Sequence, residues 1–127
     1  MTIAIGTDIL EIERLQNVYA RQGEKFVARI LTPLEQERFA GLNDDSIRMA
    51  FLAKRWCAKE AIAKALGTGI AKGIGWQNIE ITNLPSGAPL VSLSGAALNQ
   101  LYELGGKKAL ISLSDERLYC VAFCSII

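Results

Sequence analysis

Residues 54–69 read KRWCAKEAIAKALGTG, and the way this stretch buries itself decides the fold. It has the length of a helix and ends as one, with Gly67 at the position just past the last turn. Placed at about 100° per residue, the apolar side chains of 51–67 point almost everywhere. Phe51, Ala58 and Ile62 share one side, Leu52, Trp56 and Ala63 lie near the opposite quarter, and Cys57 and Ala61 fall elsewhere. A helix that is apolar nearly all round is a buried helix. Yet it carries Arg55 and Lys59 one turn apart in one sector, and Glu60 and Lys64 one turn apart in another. Buried charge is costly unless it is paired or assigned to a ligand.

Two accounts of these charges stand side by side. Glu60 and Lys64 have the spacing of an ordinary i,i+4 pair, and Arg55 and Lys59 can snorkel to a surface. Alternatively, the four charges address an anion. The glycines that follow, GTG at 67–69 and GIG at 73–75, let backbone approach a ligand and offer amides to phosphate oxygens, although Gly67 also explains itself as a cap.

Outward from this helix, Asp44, Asp45 or Ser46 supplies its N-cap. The preceding LTPLEQERFAG starts a helix at Thr32, with Pro33 in the first position and Glu35 three after the cap. Residues 2–7 read as a short buried strand ending at Asp8, and Ile9, Ile12, Leu15, Val18 and Tyr19 follow at helical spacing up to Gly23. A further helical piece covers 24–30. After the glycines, 76–94 reads as a hairpin and GAALNQLYELGG as a helix. KKALISLS and LYCVAFCSII then form two strands joined at DER, the last expected to be buried on both faces. The fold class is α+β: an early strand and a helical half with a long buried helix, packed on an antiparallel sheet of about four strands. At 127 residues, one domain over 1–127 is expected.

Composition removes several kinds of function. The chain has no histidine, which excludes Ser-His-Asp and Cys-His triads, HExxH zinc sites and histidine bases. The net charge is +1 and there are nine aromatics (four Phe, three Tyr, two Trp), with no basic stripe for nucleic acid. Cys57, Cys120 and Cys124 form no CxxC pair, so buried thiols in a reducing cytoplasm are expected. Acidic residues follow the start too soon for a secretory leader, and no run has the length of a membrane span. Any chemistry here must run on carboxylates, lysines, arginines or hydroxyls, with or without a hard metal ion. Asp8, at a strand's end, is either a helix cap or a metal-holding carboxylate. Asp8 and Glu60 together meet the needs of Mg²⁺ if the first strand runs beside the long helix.

GTDILEIER at 6–14 and FLAKRWCAKEAIAKALGTG at 51–69, with RILTPLEQERF at 29–39 and SLSDERLYCVAF at 112–123, resemble the holo-(acyl-carrier-protein) synthase family, the small phosphopantetheinyl transferases. The resemblance covers nearly the whole chain in order. It implies a phosphopantetheinyl transferase-like fold that moves the 4′-phosphopantetheine arm of coenzyme A to a serine of apo-acyl carrier protein, in fatty acid biosynthesis. It also implies Mg²⁺, with Mn²⁺ as a substitute, held by Asp8 and Glu60, and Lys64 beside the phosphates. Arg55 and Lys59 would contact remaining phosphate groups and Gly67 the nucleotide. The base is left open among Glu60, Asp8 and a metal-bound water. Many members carry histidine where Asp115 stands, so no role is carried to Asp115.

The resemblance further implies an acidic carrier protein docking on Arg14 and Arg21, with Lys25 and Arg29 beyond. Glu11, Glu13 and Glu24 among them allow an ordinary solvated face instead. A trimer with active sites between subunits is implied too, using the final strand and the 76–94 hairpin. Two other classes remain: a nucleotide-binding module without catalysis, which leaves Asp8 and Glu60 unmotivated, and a structural protein whose helix is merely core.

Overall fold

The quoted stretch belongs to the axis of the molecule. In the computed structural model, which describes residues 1–127, helix α4 runs from Asp45 to Ala65. Asp44 caps it by accepting a hydrogen bond from the Ile47 amide at 3.0 Å, and Gly67, at φ 82°, turns the chain away past its end. Leu52, Ala53, Cys57, Ala58, Ala61, Ile62 and Ala63 are all fully buried in it. Before α4 come β1 (Ala4–Glu11), α1 (Ile12–Gln22), α2 (Glu24–Ile30) and α3 (Pro33–Ala40). After it come a short 3₁₀ turn (Trp76–Asn78), β2 (Ile79–Asn83), β3 (Pro89–Leu93), α5 (Gly95–Glu103), β4 (Ala109–Asp115) and β5 (Tyr119–Ile126).

The fold is α+β, and its five strands divide into two antiparallel sheets. β5 lies between β1 and β4 in one, and β2 pairs with β3 in the other. The chain's first and last strands therefore meet, with Asp8 opposite Ala122 and Leu10 opposite Cys120. Two sequence expectations change here. β1 does not stop at Asp8 but continues to Glu11, so Asp8 is a strand residue and caps nothing. β5 is buried on one face only: Cys120, Ala122, Cys124 and Ile126 face the core, while Tyr119, Val121 and Phe123 are exposed. The run looks continuously apolar because both faces are apolar, one of them outside.

α4 packs across the inner face of the three-stranded sheet. The Cys57 thiol sits 3.3 Å from the Asp8 carbonyl oxygen, and the small residues Ala61 and Ala65 admit β1 at Gly6. A side chain at position 6 would run into the Ala61 carbonyl oxygen and lie 2.6 Å from the Ala65 nitrogen. Glycine is required there by space, since backbone meets backbone. Gly6→Ala should therefore cost about 1–3 kcal/mol in urea denaturation, as overpacking does. Unchanged stability would show that the strand is free to move off the helix.

Candidate functional site

The approach at Gly6 sets Asp8 against the last turns of α4. The Lys64 ammonium donates to Asp8 Oδ1 at 2.9 Å and to the Thr7 carbonyl at 3.1 Å. Thr7 is itself tied to β5 through its hydroxyl, which donates to the Ala122 carbonyl at 3.0 Å. Glu60, one turn before Lys64, is half-buried and makes no ion pair with it, so the simple i,i+4 pairing gives way to a cross-element one. Burial raises the Glu60 carboxyl above the ordinary glutamate range. The like charge of Asp8 raises it further, against a lowering by Lys64. Asp8, Glu60 and Lys64 thus share one patch of field. Its donors are oxygens, the set a hard cation such as Mg²⁺ takes, and the two carboxylates' mutual repulsion is what such an ion relieves.

Arg55 and Lys59 belong elsewhere. The Lys59 ammonium is fully buried and gives all three of its hydrogens to protein, to Ile30 O at 2.6 Å, Glu35 Oε1 at 2.6 Å and Trp76 O at 3.1 Å. The expectation that it meets phosphate is corrected: it has no donor left. Burial lowers its pKa and Glu35 opposes that shift. From sequence spacing alone, Glu35 is only a capping-box partner. It does cap α3, accepting from the Thr32 amide at 2.8 Å, but its other oxygen also accepts from the Ile81 amide at 2.8 Å. The same buried carboxylate thereby fastens α3, α4 and β2 together.

Arg55 is likewise buried. Its guanidinium lies over the Phe51 ring at 4.4 Å, donates to Asn83 Oδ1 at 3.1 Å, and keeps Nε 3.8 Å from Glu35 Oε2 with no hydrogen-bond acceptor. It also borders a recess of about 250 Å³ shared with Arg38, Lys54 and Leu113. Lys54 is paired there with Asp115 at 3.7 Å. Nine residues after Arg55, Lys64 is about two and a half turns away and on the opposite side of α4. The four helix charges therefore form two groups, one facing β1 and one facing α3 and β2.

Gly67 is exposed, but its amide donates to Lys64 O at 3.0 Å, and the amides of Thr68 and Gly69 both return to Ala63 O. The expectation that these amides serve a phosphate is corrected, since they close the helix. Arg14 and Arg21 are exposed on α1 and form no ion pair within 4 Å.

The description that matches the chain is the 4′-phosphopantetheinyl transferase superfamily, over residues 4–124. A holo-(acyl-carrier-protein) synthase of Shewanella amazonensis is 47% identical over 120 residues, 94% of each chain. The crystal structure of a synthase of that name from Neisseria meningitidis superposes with a TM-score of 0.89 at 38% identity, covering 100% of this chain and 99% of that one. The Helicobacter pylori synthase, solved in complex with coenzyme A, gives 0.82 at 28% identity over 97% and 99%. The chain belongs to the 4′-phosphopantetheinyl transferase superfamily, and within it to the enzymes of the holo-(acyl-carrier-protein) synthase kind.

Two outcomes test the two faces of α4. Lys59→Met leaves Glu35 buried beside a single distant guanidinium and should cost about 3–5 kcal/mol in urea denaturation. Lys59→Met with Glu35→Gln should regain part of that, and a double variant worse than the sum of its singles would deny the pairing. At Glu60 the folded pKa lies above the unfolded one, so its ionisation opposes folding. The favourable contribution is present at acid pH and lost as pH rises through the raised pKa. Glu60→Gln should thus melt at or above the wild-type temperature at pH 8, with the gap closing towards pH 4. A Glu60→Gln that is less stable at pH 8 would show that the carboxylate is stabilising.

Proposed function

We propose that this protein transfers the 4′-phosphopantetheine group of coenzyme A to a serine hydroxyl of apo-acyl carrier protein, releasing adenosine 3′,5′-bisphosphate, in the service of fatty acid biosynthesis. The observation that carries the reading is the pairing of Lys64 with Asp8 at a sheet-helix junction, with the half-buried Glu60 one turn before Lys64 and within the field of both. It is supported by the names of the relatives and by the coenzyme A bound to the Helicobacter pylori synthase.

In this reading Asp8 and Glu60 hold Mg²⁺, or Mn²⁺ in its place. When bound, the ion supplies neutralising charge to the pyrophosphate of coenzyme A. Lys64 contributes its ammonium to the phosphate oxygens on which charge develops, the part of such transfers that a protein can do by position alone. Gly67, with no side chain and nothing within 4 Å of where one would begin, leaves room beside Lys64 for the nucleotide. Arg55 serves through the cationic recess rather than directly beside the carboxylates.

The carrier protein, being acidic, docks on the exposed Arg14 and Arg21. The chain acts as one transferase domain and assembles as a trimer with active sites between subunits. Support for assembly comes from the outer sheet face, where Ile5, Ile9, Tyr119, Val121 and Phe123 are 61, 66, 45, 40 and 45% exposed. A contiguous apolar face of this kind marks an interaction surface. Three unpaired thiols fit a cytoplasmic setting, and no helix is long and apolar enough to cross a membrane.

Mass spectrometry of apo-acyl carrier protein with coenzyme A, Mg²⁺ and this protein tests the reading. We expect a gain of one phosphopantetheine, abolished by EDTA and lowered at least about 100-fold by Glu60→Gln. Arg14→Glu with Arg21→Glu should raise KM for the carrier protein and leave kcat nearly intact. No gain on several folded carrier proteins rejects the reaction, while a gain that survives EDTA and Glu60→Gln rejects the metal site. Sedimentation at the mass of one chain would remove the trimer.

A further inference from the structure

Lys64 occupies the carboxylate that the proposed metal site needs. Its ammonium could have paired with Glu60 at helical spacing, yet it reaches across to Asp8 Oδ1 at 2.9 Å and the Thr7 carbonyl at 3.1 Å. The two partners differ in freedom. Asp8 is fixed within β1 by its pairing with Ala122, and its side chain is 15% exposed. The Lys64 side chain is 51% exposed, so its tip can leave without disturbing packing. A divalent cation at Asp8 would share the carboxylate with the ammonium held at Oδ1, and would be repelled by it. With Lys64 the three side chains sum to a formal charge of −1 (two carboxylates and one ammonium), and without it to −2.

We propose that Lys64 is an exchangeable counterion: it competes with the divalent cation for Asp8, and is released from the carboxylate to a phosphate oxygen when cation and substrate bind together. The lysine then does two things with one charge. It shields Asp8 from a cation arriving alone, and it supplies an ammonium to the anion that arrives with one. This rests on the metal reading above, and it makes divalent-cation binding by the free protein weaker than its two carboxylates alone would give.

Mn²⁺ binding followed by electron paramagnetic resonance, at low ionic strength and without coenzyme A, tests the exchange. Lys64→Met, folded as judged by circular dichroism, should bind Mn²⁺ about threefold more tightly or better than wild type, in line with loss of a partly exposed ion pair. Lys64→Arg keeps the charge and should not show the gain. Asp8→Asn should lose the site in either background. Added coenzyme A should tighten Mn²⁺ binding to wild type and narrow the gap with Lys64→Met. Equal or weaker binding by Lys64→Met, where Mn²⁺ does bind at Asp8, overturns the exchange and leaves the metal site standing. No Mn²⁺ binding by any variant, with or without coenzyme A, overturns both.

Discussion

The contact on which this architecture depends has no side chain in it. Gly6 lies against the backbone of Ala61 and Ala65, closer than any Cβ would allow. Because α4 is rigid and β1 is hydrogen-bonded along its whole length to β5, that single approach fixes the distance between a strand and a helix far beyond the residue itself. Asp8 is two residues further along the same face of β1, and Lys64 and Glu60 stand on the turns of α4 that flank Ala61 and Ala65. A small shift between strand and helix would separate Asp8 from both Glu60 and Lys64. Misplacement of about 1 Å can cost a catalytic site about two orders of magnitude. The glycine is thus structural in its contact and, in the proposed reaction, functional in its consequence.

The charges on α4 divide by what each face can solve. Towards α3 and β2, Arg55 and Lys59 are enclosed, and enclosure is tolerable only because Glu35 answers them and two carbonyl groups absorb the remaining lysine hydrogens. A buried ion pair of this kind is weak evidence of stability, since two desolvated charges offset much of their own attraction. Its value here is geometric. Glu35 with its cap partner Thr32, Lys59, Trp76 and Ile81 come from four separate elements, and the one carboxylate-ammonium pair gives them a common reference. That fixes the rotation of α4 about its axis, and so the direction in which Glu60 and Lys64 point. The enclosed face holds the helix so that the open face can be exact in its geometry.

Much of this was legible in the chain. Element order follows from caps and periodicity: Thr32 with Glu35, Asp44, and Gly67 all mark the ends that the sequence assigns them. Glu60 and Lys64 were legible as candidates because charge on an apolar helix demands an explanation, and Asp8 because a carboxylate at a strand's end suits a cap or a metal ion. What was hidden has one physical cause, that side-chain partnership depends on tertiary neighbours. Nothing in the spacing of Lys59 tells that Glu35, twenty-four residues earlier, will meet it inside the core. Lys59 and Glu60 are adjacent in sequence and point about 100° apart, one into protein and one towards β1. Periodicity gives that angle but not what waits at the end of it. β5 misleads for a related reason. An apolar strand with one face outside has the same sequence as one enclosed on both, so only the alternating exposure of Tyr119, Val121 and Phe123 separates them.

The division of α4 into two faces also bears on the proposed assembly. Coenzyme A carries phosphates at two separated places, and the chain offers cations at two separated places, Lys64 near β1 and the Arg38–Lys54–Arg55 recess beyond. Arg55 and Lys64 lie about 13 Å apart along the helix axis and on opposite sides of it, with the body of α4 between them. A ligand cannot pass through a helix whose flanking residues are fully buried. One chain alone therefore gives a ligand no direct path between the two places, which argues for the proposed trimer with its active sites between subunits. The outward-facing Ile5, Ile9, Val121 and Phe123 form the apolar face that such an assembly would cover.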